Sequence, residues 1–184
     1  MNRLFGMYTY LSGSIDFSPD KGKAWRDELT PFLENMNVKV FNPLKHVFYG
    51  TDQIDTVKRP LMAKMLEEGR FEDLREEMKQ LVRCDLRCVD LSSFIIINYN
   101  VDRHICGTIE EMTVGNKQVK PCLIVCKDKK KLPSWLYGRF PSDHMFSSFE
   151  ELKYYLNLIN SDPNYEFSES DKKRWLFFDG KWMK

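Results

Sequence analysis

The chain has 184 residues, with 28 Lys and Arg against 27 Asp and Glu and a formal net charge of +1. That length suits one domain with a sizeable core. The charge balance gives no long-range attraction to nucleic acid or anionic lipid, and no window approaches the roughly eighteen apolar residues of a membrane span.

The N-terminal segment MNRLFGMYTYLSGSIDF has no longer apolar stretch followed by a small-residue cleavage site, so a cytoplasmic protein is expected. Within it, Met7 to Ser12 reads as a first strand, ended by Gly13-Ser14. Lys21 to Asn35 places Trp25, Leu29, Phe32 and Leu33 at i, i+4, i+7 and i+8, the pattern of an amphipathic helix, with Pro31 as a point of kinking or early termination. Val38 to Phe41 is a short second strand closed by Asn42-Pro43, and an irregular loop runs on through Phe48 and Tyr49. Two helical patterns follow, Thr56 to Glu68 and Phe71 to Leu91, separated by Gly69. Phe94 to Asn98 is a third strand, Thr108 to Lys117 a helix and Pro121 to Cys126 a fourth strand. Lys127 to Lys131 reads as a solvated charge run, and Pro133 to Pro141 as a loop carrying Trp135. Met145-Phe146 is a short fifth strand and Phe149 to Ile159 a last amphipathic helix.

This alternation predicts a doubly wound, three-layer α/β fold of the Rossmann or flavodoxin-like kind, with a mostly parallel five-stranded sheet. The uninterrupted run Phe94-Ile95-Ile96-Ile97 supports it, because a strand buried on both faces has no polar side to show. Residues 1–160 form the expected domain and 161–184 a C-terminal extension that packs on the core or on a neighbouring subunit. The five cysteines imply reduced thiols, and Cys84, Cys88, His104 and Cys106 match no recognised zinc spacing. No metal and no cofactor are expected.

In sheets of this kind ligands bind beyond the carboxyl ends of the strands. Three carboxylates belong there. Asp85 falls on the apolar stripe made by Leu74, Met78, Leu81, Val82 and Val89, where a charge is costly unless paired or hydrogen-bonded. It is either a structural acid that caps a neighbouring loop or a functional acid with a raised pKa. Glu111 completes Thr108-Ile109-Glu110-Glu111, a capping-box spacing with Thr108 as N-cap. The Gly107 that precedes it also permits close approach of a ligand to a helix N-terminus, where a carboxylate one turn in could attack an electrophilic sugar carbon. Asp102 lies in the loop after the third strand, as a turn residue or a ligand contact. Tyr10, Ser12, Gly13, Ser14 and Asn98 sit at strand ends and could offer hydroxyl, amide and backbone N–H groups.

Four segments together resemble the nucleoside 2-deoxyribosyltransferase family and its relatives, the nucleotide N-glycoside hydrolases. They are Tyr10-Leu11-Ser12-Gly13-Ser14-Ile15, Asn42-Pro43, Asp85-Leu86 with Val89, Ser92 and the third strand, and Gly107-Thr108-Ile109-Glu110-Glu111 continuing to Gly115-Asn116-Lys117 and Lys120-Pro121. The resemblance implies a Glu111 nucleophile that forms a deoxyribosyl ester, Asp85 assisting protonation of the departing base, and Asp102 on the sugar hydroxyls. It also implies a nucleoside or nucleotide substrate, and a homo-oligomer of two or more copies in which the tail from Trp175 to Lys184 serves a neighbouring site or packs on its own core. Ser92-Ser93 stands where the family often has a second aspartate, the loop from Asn98 to Gly107 is longer than in the transferases, and Asp16 stands where monophosphate hydrolases carry arginine. The competing readings are a phosphoribohydrolase of the lysine-decarboxylase-like type and a catalytically silent nucleotide-binding module. The first sets two glycines before its motif, where Ile105-Cys106 stands here.

Overall fold

The computed structural model describes residues 2–15, 18–45 and 59–178. The expectations that fall on Asp16, on the loop around Phe48 and Tyr49, and on the tail beyond residue 178 lie outside the described residues.

Five strands, β1 (Tyr8–Gly13), β2 (Lys39–Phe41), β3 (Phe94–Asn98), β4 (Cys122–Val125) and β5 (Met145–Phe146), form one sheet in the order β2-β1-β3-β4-β5. Every pairing is parallel. The helices among the described residues are α1 (Lys23–Asn35), α2 (Arg59–Glu67), α3 (Phe71–Leu91), α4 (Cys106–Lys117), α5 (Ser134–Tyr137), α6 (Phe149–Ser161) and α7 (Glu169–Arg174). This is the expected doubly wound α/β fold.

Alternation along β3 divides the core into two apolar layers. Phe94 and Ile96 join Leu11, Leu29, Leu33, Leu152 and Leu156 on the face covered by α1 and α6. Ile95 and Ile97 join Tyr10, Val89, Met112 and Ile124 on the face covered by α3 and α4. Each layer is fed by every second residue of the same strand, which is why the run carries no polar position.

Two local expectations change. Helix α1 passes through Pro31 to Asn35 without ending, because Leu29 and Leu33 on either side of it are buried against the sheet and hold both halves in place. Helix α4 begins at Cys106, two residues before the expected start, with Ile105 as its N-cap and no side-chain cap. Thr108 is therefore inside the first turn, and the capping box does not form. Past residue 161 the chain also contributes to the core: Trp175 is buried, its ring 5.1 Å from Phe94, and its indole N–H donates to Tyr155 Oη at 3.0 Å.

The buried face of α4 is Thr108, Glu111, Met112 and Gly115, at i, i+3, i+4 and i+7. A Cβ on Gly115 would lie 2.2 Å from Ile95 Cδ1, so any larger residue there forces the end of the Ile95 side chain to move. Gly115 is one turn beyond Glu111 on the same buried face. Gly115→Val is expected to lower stability in urea melts by about 2 kcal/mol, the usual scale of overpacking, and to reduce activity by lifting Glu111 from the sheet.

Candidate active site

Strand β1 connects to β2 on one side and pairs with β3 on the other, so the crevice between the carboxyl ends of β1 and β3 is the topological switch point. The candidate side chains converge there. Tyr10 and Ser12, two residues apart on β1, project to the same face. Tyr10 donates its hydroxyl to Glu111 Oε1 at 2.9 Å, and Ser12 donates to Glu111 Oε2 in a short hydrogen bond. Both carboxylate oxygens of a 9 % exposed glutamate are thus held by strand hydroxyls. Glu111 spends its hydrogen bonds on β1 and leaves the helix terminus uncapped, which excludes the capping reading.

Asp85 reaches the same place from the second turn from the end of α3, which packs against both α4 and β1. Burial, and then the nearby Glu111 charge, push its pKa up to about 8, while a hydrogen bond with Tyr10 pulls the other way. Burial also raises the Glu111 pKa; the bonds from Ser12 and Tyr10 and the charge of Arg26 oppose it. Tyr10 is driven well above its ordinary value, first by burial and then by Glu111, so it remains a neutral donor. The neighbouring Glu111 charge thus opposes ionisation of Asp85, which keeps its proton at neutral pH.

Beside the pair opens a cavity of about 310 Å³, within the size range of small-molecule sites. Gly13, Ser14 and Ile15 line it from β1, Met78, Leu81, Val82, Asp85 and Leu86 from α3, Arg59 from α2, and His104 to Thr108 with Glu110 and Glu111 from α4 and its approach. The apolar stripe that flagged Asp85 is therefore partly cavity wall: Leu81 is buried, but Val82 is 38 % exposed. Its apolar character serves a ligand as much as the core.

A second, polar cavity of about 190 Å³ adjoins at Ser14, lined also by Ser18, Asp20, Gly22, Trp25, Asn98, Asn100 and Arg103. Ser14 Oγ is buried and lacks a hydrogen-bond partner among the described residues. The Asp20 carboxylate in this cavity is already engaged by Ser18 Oγ and by the N–H groups of Gly22 and Ala24.

Of the residues singled out from sequence, Glu111, Asp85, Tyr10, Gly13, Ser14, Gly107 and Thr108 come together around the first cavity, and Asn98 lines the second. Asp102 stands apart. It is exposed, its N–H is turned back to Asn100 Oδ1 at 2.9 Å, and it lines neither cavity. Trp135 is likewise exposed and lines neither. Ser12, read from sequence as a strand-end hydroxyl, is the second donor to Glu111; sequence reading did not assign Arg26, Arg59, His104 or Arg103. Arg26 was detectable as a charge on the Leu29–Leu33 stripe; the others had no readable signal. Among the described residues, no group of three His, Cys, Asp or Glu side chains is placed to hold a metal ion, and no helix is long and apolar enough to cross a membrane.

Comparison with solved structures finds a 2-deoxyribosyltransferase from the psychrotolerant bacterium Bacillus psychrosaccharolyticus, at 16 % identity and a TM-score of 0.53 over 92 % of this chain and 99 % of that one. This likeness establishes the fold. Comparison with curated proteins gives no match. The family model described as nucleoside 2-deoxyribosyltransferase matches residues 9–166, from β1 through the crevice to the segment that follows α6. Over that span, which carries every strand residue but Tyr8 and both carboxylates of the crevice, the chain belongs to the nucleoside 2-deoxyribosyltransferase family.

Proposed function

We propose that the protein cleaves the N-glycosidic bond of a 2′-deoxynucleoside or its monophosphate through a glycosyl ester on Glu111. The observation that carries this is the pair itself: one carboxylate gripped on both oxygens, and a second with its pKa near 8 beside it. Glu111 attacks the anomeric carbon as the carbon–nitrogen bond breaks; the bonding electron pair leaves with the base, and protonated Asp85 supplies a proton to it. The oxocarbenium-like transition state is stabilised by the same carboxylate that then captures it. A second base or water attacks the ester and releases Glu111, giving transfer or hydrolysis. A silent binding module would gain stability by replacing two buried carboxyl groups that repel each other, and their presence is explained by chemistry.

The sugar's 5′ end would face the second cavity, where Ser14 Oγ and the amides and guanidinium of Asn98, Asn100 and Arg103 offer donors. A panel of deoxynucleosides and their 5′-monophosphates, with and without an acceptor base, tests the reading by chromatography of free base. The expected outcome is base release, with monophosphates preferred and the preference reduced at least about tenfold in Arg103→Ala. Absence of release across the panel would leave the silent module as the better account. Base exchange without net hydrolysis would identify a transferase.

A further inference from the structure

Arg26 shares a stripe of α1 with Leu29 and Leu33 and is fully buried. A buried charge is costly unless its donors are met. Here Nε donates to Leu11 O at 3.2 Å, Nη2 to Gly13 O at 3.0 Å, and Nη1 to Gly22 O at 2.9 Å and Lys21 O at 3.5 Å. Every acceptor is a backbone carbonyl. Strand β2 stops at Phe41, opposite Tyr10, so from Leu11 onward β1 is paired only with β3. The planar fork takes two carbonyls of β1 where a neighbouring strand has ended.

The same guanidinium closes the loop between β1 and α1. Gly22 has φ +69°, and a Cβ there would come within 2.4 Å of Arg26 Nη1 and 2.9 Å of Ser14 O. One side chain therefore ties down both ends of the segment that carries Gly13 and Ser14 to the cavity rim. On the opposite face of the strand, Tyr10 and Ser12 hold Glu111. Arg26 grips the alternate residues, Leu11 and Gly13, from behind.

We propose that Arg26 is a positioning residue of this site: it clamps the carboxyl end of β1 and sets behind the strand the positive charge that Glu111 faces. The proposal rests on the reading of Glu111 as a working carboxylate. Burial lowers the guanidinium pKa to about 10 against the opposing charges of Tyr10, Glu111 and Asp85, and Arg26 in turn lowers the pKa values of Glu111 and Asp85. The other groups facing the pair are Tyr10 and Ser12 from β1, Glu110 from α4 and Arg59 from α2.

Arg26→Gln and Arg26→Lys test it, with the Glu111 side-chain carboxyl titrated by carbon-13 NMR, its signal assigned by Glu111→Gln, alongside the pH profile of base release. Removing the cation leaves burial less opposed, so Arg26→Gln is expected to move the Glu111 midpoint and the acid limb upward by at least about half a pH unit. Arg26→Lys keeps the charge but not the fork; its midpoint should stay within about 0.2 units of wild type while kcat falls at least about threefold. Folded variants with wild-type midpoints and wild-type kcat overturn the proposal. Should Arg26→Gln fail to fold, the lysine variant decides alone: lower kcat at an unchanged midpoint supports it, and unchanged kcat overturns it. The carboxyl titration needs no turnover. An inactive wild type would therefore count against the glycosidic reading while the effect of Arg26 on Glu111 is still measured.

Discussion

Glu111→Ala is expected to reduce base release by at least about a thousandfold, the scale on which enzymes that work through a covalent intermediate lose activity with their nucleophile. Its fold should survive. The side chain is held by Tyr10 and Ser12 from one strand only, both of which remain a donor and an acceptor for water once the carboxylate is gone. Rapid quenching of wild type with substrate, followed by intact-mass measurement, should show one added deoxyribosyl group that Glu111→Ala lacks. Wild-type rates in Glu111→Ala would dismiss the nucleophile assignment. The acid limb of the wild-type pH profile should lie above the ordinary carboxylate range, because burial raises the Glu111 pKa more than the hydroxyls of Ser12 and Tyr10 and the charge of Arg26 lower it.

Asp85→Asn should act in opposite directions on activity and stability. With a pKa of about 8 in the folded protein, Asp85 holds its proton at neutral pH and can deliver it to a departing base. The expected loss in kcat is about a hundredfold or more, the usual worth of a positioned general acid, and the basic limb of the wild-type profile near pH 8 should disappear. The stability argument follows from proton counting. A carboxyl whose pKa is raised on folding, from 3.8 to about 8, binds more protons in the folded than in the unfolded state between those values. Folding stability therefore falls as pH rises through that window and levels off above it. The cavity beside Asp85 admits water, which reduces the cost below that of a dry interior, so the asparagine variant should be more stable by on the order of 2 kcal/mol at pH 8. Near pH 4 the difference should vanish. Thermal melts of both proteins from pH 4 to pH 9 measure it, and parallel curves would show that Asp85 is already paired at no cost.

Much of the scaffold can be read along the chain, since its elements are long or strongly patterned. Helix α3 runs from Phe71 to Leu91 and β3 from Phe94 to Asn98, as their apolar spacing indicates. Ends were less legible where tertiary packing outweighs local preference. Pro31 does not stop α1 because burial of Leu29 and Leu33 outweighs a missing hydrogen bond, and α4 starts at Cys106 without a side-chain cap because its buried face is held by the sheet. The capping-box spacing of Thr108 and Glu111 was misleading for the same reason. A carboxylate offered two strand hydroxyls in a buried crevice is better satisfied there than by its own helix terminus.

Sequence by itself determined the class of fold and drew attention to the two carboxyl groups proposed to carry the chemistry, because a continuous β-type run, a charge on an apolar stripe at Asp85 and the Gly107-to-Glu111 motif are visible in one dimension. Only the tertiary structure decided which groups meet. It joined Tyr10 and Ser12 to Glu111 across about a hundred residues, placed Arg26 behind them, and left Asp102 on the surface. It also turned the Asp85 stripe into the wall of a cavity. Periodicity reports which face of an element avoids water. Whether that face meets core or ligand depends on what the rest of the chain packs against it.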